Sequence, residues 1–244
     1  MTDWKPASIT AVIMAGGRGE RMRRSGSSLP KPLIKLAGRP LILHLARGLH
    51  ERGCGPIRIA LGHRADEIAA ELARLAAVHP ELELHWQDTG ACTGNAGRLL
   101  KLGENLPADT FLMCWCDGLS DLDLRAMLAF HQDHGRLATV AAVREPARFG
   151  VLDLTGDRVE AFREKDRRDR RWINGGYCLL EPGVTEFIYD DSEAWEAGPM
   201  QRLIEADQLH AYRHEGFWEA LDTTADRDRL ARHMEQEGTP WKTD

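Results

Sequence analysis

Short runs of β-branched and aliphatic residues alternate with stretches of helical period along the first 143 residues, and this alternation leaves few folds open. Ile9 to Ala15 reads as a buried strand, ended by Gly16-Gly17-Arg18-Gly19. Pro40 to Arg52 sets Leu41, His44, Leu45 and Leu49 at helical spacing before Gly53 and Gly55 stop it. Ile57 to Leu61 reads as a second strand. Asp66 to Val78 is an amphipathic helix through Ile68, Leu72, Leu75 and Ala76. Strands over Leu82–Trp86 and Thr110–Cys116, a helix over Asp121–His134 and a strand over Ala138–Val143 complete the series. The pattern predicts an α/β fold: a Rossmann-like mixed, mostly parallel sheet flanked by helices.

Beyond residue 143 the pattern is less regular. Gly150–Leu154, Val159–Arg163 and Trp172–Leu180 suggest antiparallel strands, followed by helical segments over Thr185–Tyr189 and Met200–Ala206. With no internal repeat and no low-complexity linker, residues 1–244 are read as one domain.

Composition narrows the function classes. The 32 Lys and Arg stand against 38 Asp and Glu, a net charge of −6, which argues against a nucleic-acid-gripping surface but leaves room for a locally basic pocket. The five cysteines lack ligand spacing, and alternation puts Cys114 and Cys116 on one strand face, as core residues. No signal-peptide pattern and no apolar run of membrane-spanning length is seen, so a soluble cytoplasmic protein with no membrane partner is expected. His131 and His134 lie one helical turn apart without a visible third ligand, and read as part of a solvated helix face. The tryptophans are too scattered for a stacking platform and read as core or subunit contacts. Arg163 to Arg171 reads as an exposed charged loop, or one that closes in part over a ligand.

Three places carry residues that core packing does not explain. The glycine run after the first strand is either a tight turn or a loop whose amides meet an anion, and it matches neither common phosphate-loop pattern. Arg18, Arg21, Arg23, Arg24, Lys31 and Lys35 surround it, and a polyanion such as a triphosphate would suit them. Glu20 opposes that reading unless a cation stands between. Asp117 follows an apolar strand, where it is a ligand-site carboxylate or a cap of the next element. Asp222-Thr223-Thr224 could likewise cap a following helix. Two such carboxylates without a histidine motif suit an oxygen-loving cation such as Mg²⁺.

Met14-Ala-Gly-Gly-x-Gly-x-Arg21, Pro30-Lys31-Pro32, Asp117-Gly118, Glu164-Lys165, Asn174-Gly175-Gly176 and Asp222-Thr223 together resemble, in order, the motifs of the sugar-1-phosphate nucleotidyltransferases. Asp88-Thr89-Gly90, Gly97-Arg98-Leu99, Arg148-Phe149-Gly150, Gly216-Phe217-Trp218 and the tail from Pro240 to Thr243 are similar to the branch that uses CTP and glucose 1-phosphate. The resemblance covers the chain from Ile9 onward. It implies a Mg²⁺-dependent enzyme that joins an NTP to a sugar 1-phosphate, giving a nucleotide sugar for surface polysaccharide and releasing pyrophosphate. Residues 9–143 would mainly bind nucleotide and 144–244 mainly the sugar phosphate. Met14, Ala15, Gly16, Gly17, Arg18, Gly19, Glu20 and Arg21 would wrap the nucleotide, with Lys31 on the triphosphate, Thr93 and Arg98 near the base and Cys116 alongside. Asp117 and Asp222 would hold the metal, and with Arg21 and Lys31 form the catalytic set. Lys165 would pair with the sugar phosphate, while Glu164, Asn174 and Gly175 would contact the sugar. The resemblance also implies an oligomer of identical chains.

The chain departs from the pattern at Glu20, usually Thr, at Asn95-Ala96, usually Thr-Gly, and at Cys116, usually Gly. It is also shorter between Gly62 and Asp88. Base choice therefore stays open between CTP and other nucleotides, and so does a non-catalytic, nucleotide-sugar-binding role.

Overall fold

The computed structural model of the chain describes residues 9–144, 151–163 and 171–241. In order, these form β1 (Ile9–Met14), α1 (Glu20–Arg24), β2 (Lys35–Leu36), β3 (Arg39–Pro40), α2 (Leu41–Glu51), β4 (Cys54–Leu61), α3 (Ala65–Val78) and β5 (Leu84–Asp88). Then come α4 (Gly97–Leu102), β6 (Phe111–Trp115), β7 (Gly118–Ser120), α5 (Leu124–His134) and β8 (Ala138–Arg144). The remainder is β9 (Val151–Thr155), β10 (Arg158–Arg163), β11 (Trp172–Leu180), α6 (Pro199–Glu205), β12 (Leu209–His214), β13 (Trp218–Ala220) and α7 (Thr224–Glu237).

A seven-stranded sheet in the order β12-β8-β11-β6-β1-β4-β5 takes strands from both the regularly alternating first part and the less regular second part of the chain. β6, β1, β4 and β5 run parallel, as does β12 beside β8, while β11 runs antiparallel to both β6 and β8. Strand alternation sorts the core into two layers. Ala11 and Ile13 of β1 and Leu112 and Cys114 of β6 face the helices α2, α3, α5 and α7. Val12, Met14, Phe111 and Met113 point the other way, onto α4, α6 and a 3₁₀ turn at Pro182–Phe187. No helix among the described residues is long and apolar enough to cross a membrane.

The chain leaves β1 toward β4 on one side and later returns as β6 on the other. The sheet therefore has a switch point between the carboxyl ends of β1 and β6, where Met14 and Trp115 lie side by side. The glycine run and Asp117 both start there.

Two differences from the sequence reading have clear causes. The helix expected over Thr185–Tyr189 is instead the 3₁₀ turn, since Pro182 and Gly183 open a segment too short to nucleate an α-helix. Second, His131 is buried, not on a solvated face. Arg136 N–H donates to His134 Nδ1 (2.9 Å), so His134 Nε2 donates to Thr139 Oγ1 (2.6 Å). The Thr139 hydroxyl then donates to His131 Nδ1 (2.7 Å), and His131 Nε2 donates to the Glu181 carboxylate (3.0 Å). A polar chain on a helix was readable, but its partners sit on β8 and after β11, beyond the reach of helical periodicity.

Burial, then His210 and His131, hold the His134 pKa below its ordinary 6.5. A depressed histidine binds its proton less readily folded than unfolded, so its contribution is present above about pH 6.5 and lost as pH falls below that. Thr139→Val removes the shared hydroxyl and should lower stability by about 3 kcal/mol. Thermal melts between pH 5 and 8 would check both effects, and the gap between wild type and variant should narrow toward pH 5.

Candidate active site

The two motif carboxylates are brought together by backbone pairing. β7 and β13 form an antiparallel ladder with Gly118 opposite Ala220, and Leu221 N–H donates to Asp117 O (2.9 Å). Asp222 thus follows directly beside Asp117, although 105 positions separate them in the chain. The buried Tyr177 hydroxyl donates to Gly118 O (2.7 Å) and steadies the same turn. Thr223 caps α7 with a reciprocal Asp226 contact, so the cap reading of this segment falls to Thr223 and leaves the Asp222 carboxylate free to face the cleft.

Lys31 meets both carboxylates. Its Nζ donates to Asp117 Oδ2 at 2.5 Å and to Asp222 Oδ1 at 2.6 Å. Pro30 and Pro32 confine the short 3₁₀ turn that carries it. Burial acts to lower its pKa, but the Asp117 charge and the hydrogen bonds to Asp117 and Asp222 outweigh that and hold the ammonium above the usual 10.5. Arg21, on the exposed side of α1, donates to Asp222 Oδ2. Ser25 at the end of α1 accepts from Thr224 N–H (3.2 Å), which ties the arginine's helix to the start of α7.

Two chambers open on either side of this cluster. The first, about 410 Å³, is lined by every residue the resemblance assigns to the nucleotide except Arg18, which is exposed beyond its rim. Glu20 lies on the wall, with its carboxylate 3.5 Å from Arg24. The second, about 830 Å³, is lined by Asn174 and Gly175, and by Trp218, whose Nε1 donates to Gly175 O (2.7 Å). Arg21, Trp115, Asp117 and Asp222 line both. Glu164 and Lys165 lie outside the described residues.

Arg98 is almost wholly buried beneath the first chamber. Its Nη1 donates to Leu61 O, Thr89 Oγ1 and Gly90 O, and its Nη2 to Gly16 O and Thr93 O, at 2.6–3.0 Å. The guanidinium thus knots the end of β4, the loop after β5 and the glycine run into one wall. Burial lowers its pKa, with Asp88 opposing, but an arginine so placed remains a cation. Gly16 has to be glycine for this reason, since a Cβ there would run into the guanidinium. Asn95 also lines the first chamber, yet its amide is occupied by the 195–196 segment and not turned to a ligand.

Cys116 is buried, and burial with the Asp117 charge pushes its thiol up to about 12, so it stays protonated and is no nucleophile. The two aspartates offer hard oxygens that already converge on one cationic atom, a set that fits a divalent ion such as Mg²⁺. Among the described residues no third His, Cys, Asp or Glu completes a cage. Such an ion would take its other ligands from phosphates and water.

The sequence reading gives no site role to Trp115, Trp218, Glu196, Glu219 or Arg229, which also line the second chamber. Trp115 was within reach, because strand alternation that buries Cys114 and Cys116 must turn the residue between them to the opposite face. Trp218 stood in the Gly216-Phe217-Trp218 motif without an assigned role, and Glu196, Glu219 and Arg229 had no local signal.

The model of the nucleotidyl transferase family matches residues 10–226. Glucose-1-phosphate cytidylyltransferase of Salmonella typhimurium is 34% identical over 96% of this chain and 99% of its own length. Mannose-1-phosphate guanylyltransferase catalytic subunit beta of Drosophila pseudoobscura pseudoobscura is 30% identical over 85% of this chain and 57% of its own. Among solved structures, HddC from Yersinia pseudotuberculosis superposes with a TM-score of 0.72 at 21% identity, over 93% of this chain and 99% of that one. UDP-glucose pyrophosphorylase with UDP-glucose gives 0.68 at 14%, over 94% and 99%. These two likenesses are of fold.

Replacing Arg98 by Met leaves five acceptors without their shared donor. It should cost at least about 3 kcal/mol in stability and weaken nucleotide binding, measured by thermal melts and calorimetric titration. Wild-type nucleotide affinity in the variant would show that Arg98 does not shape the wall.

Proposed function

This chain belongs to the nucleotidyl transferase family, moving a nucleotidyl group from an NTP to a sugar 1-phosphate, and we propose that the donor is CTP and the acceptor glucose 1-phosphate. One observation carries the assignment of the reaction centre: among the described residues, only Arg21, Trp115, Asp117 and Asp222 line both chambers, so two substrates meeting across them would react there. The choice of CTP and glucose 1-phosphate is supported by end-to-end similarity to cytidylyltransferases. The first chamber, built mainly from residues before 118, takes the nucleotide, and the second, built mainly from residues after 172, takes the sugar phosphate.

The nucleophile is a phosphate oxygen of the acceptor, already ionised near neutral pH because the second ionisation of a phosphate monoester lies at a pKa of about 6. No general base is required. The oxygen attacks the α-phosphorus, the bond from that phosphorus to the bridging oxygen breaks, and pyrophosphate leaves on the opposite side. The chain's task is to align two anions that repel one another and to balance their charge. Arg21 and Lys31 are the cations at the seam of the chambers, and Lys31 stays charged throughout the neutral range. Asp117 and Asp222 would hold Mg²⁺, which when bound supplies positive charge to the phosphates. Glu164 and Lys165 serve the sugar and its phosphate by the family resemblance.

Pyrophosphate release should be measured with Mg²⁺ and glucose 1-phosphate against CTP, UTP, GTP, ATP and dTTP in parallel. Release with CTP is expected. Release with another nucleotide alone overturns the base, and silence across all five overturns the acceptor. Asp117→Asn and Asp222→Asn should each lower kcat by about a thousandfold, a loss of about 4 kcal/mol of transition-state stabilisation. Wild-type turnover by either variant would remove that carboxylate from the mechanism.

A further inference from the structure

The two chambers share a second seam, away from the carboxylate cluster. Residues 94–97 lie backbone to backbone on residues 191–196. Gly94 N–H donates to Asp191 O (2.9 Å) and Ala96 N–H to Glu193 O (3.2 Å). A Cβ on Gly94 or Gly97 would collide with the main chain of 191–193, so the two glycines permit the close approach. Trp195, fully buried, anchors the outer segment.

Asn95 sits in the middle of this seam. Its Oδ1 accepts from Trp195 N–H (2.6 Å) and from Ala96 N–H (3.0 Å). Two backbone donors on one oxygen settle which way the amide faces, and its Nδ2 then donates to Glu196 Oε2 (3.3 Å). Asn95 lines the first chamber and Glu196 the second.

The second chamber contains five carboxylates from the described residues. Asp117 and Asp222 are neutralised by Lys31 and Arg21, while Glu219 and Asp226 are held by Arg229. Among the described residues, Glu196 has no cation partner and only Asn95 holds it. A carboxylate fixed by one weak neutral donor, exposed in a chamber that admits a polyhydroxylated ligand, retains acceptor lone pairs for hydroxyl donors.

We propose that Glu196 determines acceptor specificity by accepting hydrogen bonds from ring hydroxyls of the sugar, and that Asn95 is the positioning residue that presents it. One side chain on the nucleotide wall thereby also orients the sugar-reading group. The inference rests on the second chamber taking a sugar 1-phosphate.

The test uses the full chain and its Glu196→Ala, Glu196→Gln and Asn95→Ala variants. KM and kcat are measured at saturating CTP for glucose 1-phosphate and for its 2-, 3-, 4- and 6-deoxy derivatives. Wild type should lose roughly ten- to hundredfold in kcat/KM on at least one deoxy acceptor. Glu196→Ala should show a similar rise in KM for glucose 1-phosphate, keep kcat within a few-fold, and lose nothing more on that same deoxy acceptor. Glu196→Gln should recover part of the loss. Asn95→Ala should raise KM for the sugar more than for CTP and blunt the same discrimination, which a merely destabilised loop would not do selectively. If Glu196→Ala keeps its KM, or still ranks the deoxy acceptors as wild type does, the inference is wrong while the function stands. Absence of wild-type turnover with any of these acceptors would sink the functional reading and this inference with it.

Discussion

The site depends on one ammonium group between two carboxylates. Two bare carboxylates about 4 Å apart repel by about 4 kcal/mol at the effective dielectric of a protein surface. The β7–β13 ladder nevertheless sets Asp117 and Asp222 side by side. Lys31, confined by Pro30 and Pro32, supplies the compensating charge, and Arg21 adds a second cation from the exposed side. The cluster is neutral as a whole, so the fold tolerates it without substrate. Phosphates entering the cleft would compete for those cations, and a divalent ion for those carboxylates.

Arg98 performs the corresponding work for the wall of the first chamber. A buried cation surrounded by carbonyl oxygens is stable only when its donors are well used, and Nη1 and Nη2 of Arg98 together reach five acceptors. That arrangement commits its Nη atoms to five oxygens of the chain itself and makes it a strut between the loops that line the first chamber. Asn95 is committed in the same way to the neighbouring segment. The resemblance associates both residues with the base, and in the structure both tie neighbouring segments of the first chamber's wall together.

Much of the sheet was legible because its signals are local. β1, β4, β6 and β8 are apolar runs bounded by glycines or polar turns, and α2 and α3 carry clear helical periods. β12 and β13 escaped because their mixed polar composition, Leu-His-Ala-Tyr-Arg-His and Trp-Glu-Ala, gives no clean alternation. His131 was misread as solvated because the hydroxyl and carboxylate that satisfy it come from other elements.

By itself, the sequence determined the alternating α/β class, the position of the glycine turn after the first strand, and which residue types stand at each strand end. Those follow from backbone sterics and side-chain period, which act over a few residues. Only the tertiary structure decided that Asp117 and Asp222 share one lysine, that Arg98 is a strut, and that Glu196 lines the second chamber with no cation partner among the described residues. Electrostatic pairing and hydrogen-bond satisfaction depend on distance in space, and the ladder between β7 and β13 closes a gap of about a hundred residues that no local pattern records.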